Sequence, residues 1–155
     1  LAACRLGNAS QAYDIFRSIA PPVHGMDPQA YAAEPYVTPG NIDGPDSPHF
    51  GRGGWTWYSG SAQWLMRAIV DGLLGLTTRL DGLHLSPCLP PEWKQISIRR
   101  VFRGCTYQIE ITNPKGLQDG DYRLWLDGME LDKDVLVCPH GGCGGTHTVR
   151  AVRGG

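Results

Sequence analysis

The stretch from Gly51 to Trp64, GRGGWTWYSGSAQW, carries the side chains best suited to chemistry. Ser59, Gly60 and Ser61 stand at the head of an apolar series, Ala62, Leu65, Ile69 and Leu73, whose spacing of three to four predicts a helix that begins near Ser59. The first N–H groups of a helix have no intrahelical partners and lie at the positive end of the macrodipole, so such a start can hold an oxyanion such as phosphate. Gly60 would let that oxyanion come close to the backbone. Trp55, Trp57, Tyr58 and Trp64 add faces on which sugar rings stack, and together these residues describe a sugar-and-anion site. Two ordinary roles compete with that reading. Ser59 or Ser61 can be a plain N-cap, and large aromatics most often belong to a core.

The remaining chemical candidates carry less. Asp43, Asp46 and Asp81 sit among glycines and prolines and read as turn or capping carboxylates. His49 lies in the same glycine-proline loop. Cys138, His140, Cys143 and His147 offer four metal ligands within ten residues, but their spacing matches none of the usual zinc patterns. With glycines filling the gaps the run reads as a surface loop, and no metal is expected.

The elements that must position these residues follow from periodicity. Leu6, Ala9, Ala12, Phe16 and Ile19 recur at helical spacing until Pro21-Pro22 stops them. Helical character from the first residue makes the sequence read as beginning inside a longer chain. Between residues 20 and 58, Pro21, Pro22, Pro28, Pro35, Pro39, Pro45 and Pro48 exclude long helices and central strands. Tyr31, Tyr36, Phe50 and Trp55 predict that this long loop is ordered and packed. The helix after it runs to about Leu74 and ends near Gly75, and a short extended piece, Leu83 to Leu85, leads into Pro87, Pro90 and Pro91.

Beyond those prolines the period changes to two. Ile96 and Ile98 alternate with polar residues, as do Tyr107, Ile109 and Ile111, with Arg103-Gly104 as the turn between the two strands. Asn113 to Gly116 is a further turn, and Tyr122 to Leu126 followed by Asp127-Gly128 predicts a strand and a tight hairpin. Thr146 to Val152 is the expected last strand. The pattern is α+β, with an antiparallel β unit attached to helices.

A chain of 155 residues that is 41% hydrophobic and 19% charged can bury a core, as one ordinary domain or two small ones. Its net charge is −1, and Arg99, Arg100 and Arg103 form the only tight basic cluster, so neither nucleic acid nor an anionic membrane is an expected partner. No apolar run approaches the roughly 18 to 20 residues that span a bilayer. Five cysteines, Cys4, Cys88, Cys105, Cys138 and Cys143, are an odd number without a framework pattern. They suit a reducing compartment, and the cytoplasm is the default expectation.

An ordered set of motifs resembles the inverting phosphorylases of glycoside hydrolase family 94, which include cellobiose, chitobiose and cellobionic acid phosphorylases and the phosphorylase-like part of cyclic β-1,2-glucan synthases. The set comprises Glu34-Pro35-Tyr36-Val37, Gly44-Pro45 with Pro48-His49-Phe50-Gly51, and Trp57-Tyr58-Ser59-Gly60-Ser61-Ala62. It continues with Leu74-Gly75-Leu76, Asp81-Gly82-Leu83, Pro87-Cys88-Leu89-Pro90 and Phe102-Arg103-Gly104, in family order across roughly residues 30 to 110. The resemblance implies the last helices and loop of an (α/α)6 barrel over residues 1–90, followed by a small antiparallel β domain over residues 91–155. It also implies that this is the C-terminal portion of a longer, homodimeric enzyme.

In such enzymes inorganic phosphate attacks the anomeric carbon of a β-linked disaccharide or oligosaccharide while an Asp protonates the glycosidic oxygen, giving an inverted sugar 1-phosphate. Phosphate is already ionised at neutral pH, so the base that an inverting hydrolase needs to activate water becomes unnecessary. No cofactor is implied beyond phosphate as co-substrate. The family's phosphate site includes Thr or Ser followed by Gly at the start of a late barrel helix, a motif that Ser59 and Gly60 occupy here. Glu34 and Tyr36 become candidates for the wall of the sugar pocket. Nothing in the chain matches the catalytic Asp or the phosphate-binding His and Arg, so no catalytic residue is assigned. Many relatives carry a Gln six residues after the Glu of Glu-Pro-Tyr, where this chain has Gly40. The run Gly51 to Tyr58 is nearer the β-1,2-glucan branch than the cellobiose phosphorylases.

Two other readings stay open: the phosphorylase-like end of a cyclic β-1,2-glucan synthase, and a non-catalytic carbohydrate-binding module with Trp93 or Trp125 as its platform. Trp125 is out of phase with Tyr122, Leu124 and Leu126, a position that suits exposure on the outer face of its strand, while packing against the helical zone is the more usual role for either tryptophan.

Overall fold

The computed structural model describes residues 1–117, 120–136 and 144–154. The first helical stretch is two helices, α1 (Ala2–Arg5) and α2 (Ala9–Ile19). Gly7, at φ 75°, breaks the expected single helix. Asn8 then caps α2 by accepting the Gln11 N–H at 3.2 Å, and its amide donates back to the Gln11 side chain at 3.1 Å. The break turns Leu6 outward, so it does not share the buried face of Ala9 and Ala12.

The proline-rich segment holds two one-turn helices, α3 (Pro21–His24) and α4 (Pro28–Tyr31), each with proline in its first turn, where the missing N–H is not needed. Two short strands follow, β1 (Asn41–Ile42) and β2 (Gly53–Gly54), paired antiparallel. Next comes α5 (Ser59–Arg67), which continues as a π-helical turn, Ala68–Leu73, marked by the Leu74 N–H reaching back to the Ile69 carbonyl at 2.8 Å. Gly75 ends it at φ 67°, where a Cβ would collide with the Ser86 carbonyl.

The predicted apolar stripe of this helix meets a core only at its far end. Leu73 is buried, whereas Ala62 is exposed and Leu65 and Ile69 are half-buried, and α5 itself buries no residue.

Among the described residues, β3 (Leu76–Thr78), β4 (Leu83–Leu85) and β9 (Val135–Leu136) make a three-stranded sheet. A five-stranded sheet contains β5 (Gln95–Phe102), β6 (Cys105–Thr112), β7 (Tyr122–Leu126), β8 (Met129–Leu131) and β10 (Gly145–Arg153), in the order β5-β6-β10-β7-β8. The α+β class is therefore observed. The strands expected from alternation all form, and Arg103-Gly104 and Asp127-Gly128 make their turns with positive φ at both residues.

Among the described residues the expected antiparallel pairing holds for every strand pair except one. β10 runs parallel to β6, with Val149 beside Ile109 and Ala151 beside Ile111, and antiparallel to β7 on its other side. Inward-facing Tyr107, Ile109, Ile111, Leu124, Leu126, Val149 and Ala151 pack with Leu83, Leu85, Leu89 and Leu136 of the smaller sheet and its exit. A second, small cluster of Ala3, Ala12 and Leu73 joins α1, α2 and the π turn. Trp93 connects the two regions, its ring edge-on to Tyr13 at 5.0 Å and packed against the sheet core.

Candidate functional site

The start of α5 is open. Its N-cap is Tyr58, and no side chain caps it. The first backbone bond of the helix runs from the Ala62 N–H to the Tyr58 carbonyl at 3.2 Å, which leaves the N–H groups of Ser59, Gly60 and Ser61 outside the ladder. The capping role expected as an alternative for Ser59 or Ser61 is not what these side chains do. The Ser61 hydroxyl sits within 2.7 Å of the Pro39 carbonyl and 2.9 Å of the Tyr58 carbonyl, tying the preceding loop to the helix. Ser59 is exposed. At Gly60 an added Cβ would approach only the Tyr58 ring, at 3.6 Å, so the missing side chain leaves open room above the backbone.

The loop before α5 is held in an uncommon conformation. Trp55 and Trp57 both have positive φ, 53° and 64°, a region that bulky residues seldom adopt. Trp57 is fixed from two sides: its indole N–H donates to Glu34 at 3.1 Å, and Tyr36 meets its ring edge-on at 6.1 Å. The Glu34 carboxyl is held below its usual range by a backbone hydrogen bond and then by the Trp57 indole. Thus Glu34 and Tyr36 gather on Trp57, two positions before Ser59, and the structure brings the predicted residues into one loop cluster. Sequence reasoning did not foresee the Trp57–Glu34 bond, since nothing local marks two residues so far apart as partners.

The hairpin of β1 and β2 braces the same loop. The Gly40 N–H donates to the Gly54 and Trp55 carbonyls at 2.9 and 3.0 Å, and the Tyr58 N–H to the Thr38 carbonyl at 3.3 Å. A Cβ on Gly40 would press on that of Trp55 at 3.1 Å, so a Gln side chain there would require Trp55 to move. Gly53 packs so closely on Tyr31 that a Cβ would come within 2.8 Å of its ring, which makes this run a packed hairpin strand as well as a turn. Between hairpin and helix lies a cleft of about 490 Å³, lined by Thr38, Pro39, Gly40, Tyr58, Gly60 and Trp64 among others. Tyr36, Phe50, Trp55, Trp57, Tyr58 and Trp64 are all exposed, so the aromatics here face outward instead of forming a core.

Asp43, Asp81 and His147 have structural partners. Asp43 accepts from the Asn41 amide and the Ser47 hydroxyl, both at 3.2 Å, inside the hairpin loop. Asp81 accepts from His84 Nε2 at 3.0 Å, which holds the Asp81 carboxyl below its usual range. His84 is buried, and its Nδ1 lies 3.3 Å from Asp134 but is not aligned for a hydrogen bond. Of the predicted metal-ligand run, Cys138, His140 and Cys143 lie outside the described residues, while His147 on β10 binds Asp127 at 2.7 Å. Neither proposed module platform is free. Trp93 packs on Tyr13, and Trp125, on the outer face as expected, is covered by Arg150 and Arg123 at 4.3 and 5.3 Å from its centroid.

An uncapped helix start beside outward-facing aromatic rings can hold an oxyanion next to a sugar. The chain belongs to the glycosyl hydrolase 94 superfamily, whose catalytic-domain model matches residues 1–75. Residues 76–118 match the model of the glycosyl hydrolase family 65 C-terminal domain. The chain is 35% identical to a solabiose phosphorylase from Paenibacillus borealis over 96% of its own length and 19% of that protein's. It is 42% identical to a cyclic beta-(1,2)-glucan synthase from Rhizobium meliloti (strain 1021), over 67% of its length and 4% of the synthase. An N,N'-diacetylchitobiose phosphorylase from Vibrio furnissii is 30% identical over 85% of the chain and 16% of the relative. The chain thus spans less than a fifth of each of these proteins. Among the described residues no helix is long and apolar enough to cross a membrane.

Proposed function

We propose that this chain is the C-terminal portion of an inverting β-glycoside phosphorylase, in which the start of α5 holds inorganic phosphate. The reaction joins phosphate to the anomeric carbon of a β-linked disaccharide or oligosaccharide and breaks the glycosidic bond, giving a sugar 1-phosphate. The observation that carries the reading is the open helix start, where the Ser59, Gly60 and Ser61 N–H groups stand outside the helix ladder. The phosphorylases among the relatives support the reaction class. Glu34 and Tyr36 are proposed as pocket wall, with Glu34 acting through Trp57, whose indole it binds.

In this reading the residues of the chain position and do not transfer protons. A dianion must lie in line with the breaking bond, and fixed N–H donors at a helix start hold it there without reorganising during reaction. The Ser59 hydroxyl adds a donor, and the catalytic acid comes from a part of the enzyme outside these residues. The proposal includes an (α/α)6 barrel to which residues 1–90 contribute, and a homodimeric, cytoplasmic parent, as the family resemblance and the unframed cysteines imply.

A second reading is favoured by the 42% identity to the glucan synthase over 107 residues: the phosphorylase-like end of an enzyme acting on β-1,2-glucans. Extending the gene upstream separates the two, because a synthase would carry transmembrane segments and a glycosyltransferase region.

The test is sugar 1-phosphate formation by the full-length parent, supplied with phosphate and a panel of β-linked disaccharides and β-1,2-oligoglucans, with Ser59→Ala alongside. Loss of one charge-assisted hydrogen bond should raise the phosphate KM about tenfold or more. An intact parent that makes no sugar 1-phosphate from any substrate removes the phosphorylase reading.

A further inference from the structure

Cys4 and Cys88 lie far apart in sequence, yet both flank the end of the π turn. A Cβ on Gly72 would come within 3.1 Å of Cys4 Sγ, and the next residue, Leu73, accepts the Cys88 N–H at 2.9 Å. Both residues line one cleft of about 550 Å³ together with Arg5, Ser86, Tyr122 and Arg153, where Cys4 is near enough to act on the Cys88 thiol. Both are free thiols: Cys88 is buried and Cys4 half-buried.

We infer that Cys4 and Cys88 form a redox modification site, a dithiol that closes reversibly into a disulfide between α1 and the segment after β4. The bridge would add a covalent link between the helical region and the region of the sheets, at a junction already held by the Cys88 N–H to Leu73 and Ser86 N–H to Gly75 hydrogen bonds. Neither the phosphate site nor the sugar-facing loop uses either residue.

The environment assigns the two sulfurs different parts. Burial, with Cys4 as the next contribution, pushes the Cys88 thiol up to about 11, so it is a poor nucleophile at neutral pH. Cys4 is nearer solvent and is the sulfur that an oxidant meets first. With hydrogen peroxide as oxidant, the Cys4 thiolate attacks one oxygen: an S–O bond forms and that oxygen stays on sulfur as the sulfenic hydroxyl, while the O–O bond breaks and the second oxygen leaves as hydroxide, which takes up a proton to give water. The Cys88 sulfur then attacks the sulfenic sulfur of Cys4, its proton leaves with the departing hydroxide as water, and the S–S bond forms. A thiol reductant restores both thiols.

The experiment is performed on the 155-residue chain, treated with hydrogen peroxide, alkylated and digested with trypsin. Cleavage after arginine and lysine puts Cys4 in residues 1–5, Cys88 in 80–94, Cys105 in 104–115, and Cys138 with Cys143 in 134–150, so the Cys4–Cys88 pairing gives a product that no other pairing gives. The expected result is peptide 1–5 joined to 80–94, with a Tm rise of about 5 to 10 °C that dithiothreitol reverses. Cys4→Ser and Cys88→Ser should each abolish both. Full alkylation of Cys4 and Cys88 after oxidation overturns the inference, as does an equal Tm rise in Cys88→Ser.

Discussion

The five-stranded sheet and the hairpin loop before α5 use large apolar side chains to opposite ends. In the sheet, Tyr107, Ile109, Ile111, Leu124 and Val149 are buried at 0 to 4% exposure in one continuous cluster. In the loop, Trp55, Trp57 and Tyr36 are 67 to 82% exposed, and order comes from backbone hydrogen bonds and two tryptophans in a left-handed conformation. Burial is concentrated where stability is made, while conformational strain gathers beside the open helix start. A region that must admit a ligand cannot also fill its space with its own side chains.

The contrast can be broken most directly by truncating one large side chain in each region. Ile111→Ala should destabilise by about 3 to 4 kcal/mol, because it empties a fully buried position. Trp55→Ala removes a larger side chain but should change stability by less than about 1 kcal/mol, since that ring is 82% exposed. Urea unfolding of the two variants reads both, and equal losses would end the distinction.

A smaller effect is expected where the sheet depends on a polar clamp. Asp127 sits at the β7–β8 turn, accepting the Thr148 N–H at 2.8 Å and binding His147. Asp127→Ala should cost about 1 to 2 kcal/mol through the lost bonds and the unfavourable φ of alanine at this turn. The His147 hydrogen bond, followed by that from Thr148, holds the Asp127 carboxyl below its usual range. A depressed carboxyl stabilises the fold above its unfolded value and loses that contribution as pH falls through the folded one. The Tm gap between the protein and Asp127→Asn should therefore be full at neutral pH and narrow below about pH 4. A gap that widens on acidification contradicts the assignment.

The smallest expected change sharpens the loop side of the comparison. Trp57→Phe keeps a ring against Tyr36 and removes only the indole donor to Glu34. It should lower stability by no more than about 1 kcal/mol. In the full-length parent it should nevertheless raise the sugar KM, if Glu34 acts on the pocket through this bond. A change in stability without any change in KM would reduce Trp57 to a packing role.

Much of the β region was legible because alternation is a local signal: Ile96 and Ile98, then Tyr107, Ile109 and Ile111, face inward at every second position. The turns at Arg103-Gly104 and Asp127-Gly128 were equally local, as was the proline density that keeps the helices of residues 20–58 to single turns. The helix start at Ser59 could be placed, but the role of Ser61 could not, because the Pro39 carbonyl it binds arrives from a distant part of the chain. The apolar spacing of Ala62, Leu65 and Ile69 predicted a buried face that the described residues cover only at Leu73.

By itself, then, the sequence determined the strand periods, the proline stops and the place where α5 begins, since each depends on neighbours within a few residues. Tertiary structure alone decided that β10 lies parallel to β6, that Val135–Leu136 joins the strand at Leu83–Leu85, that Trp57 reaches Glu34, and that Cys4 and Cys88 line one cleft. The physical reason is the same in each case. A period of two is identical in parallel and antiparallel strands, and which distant segments come together is set by how the whole chain closes its loops around a common core.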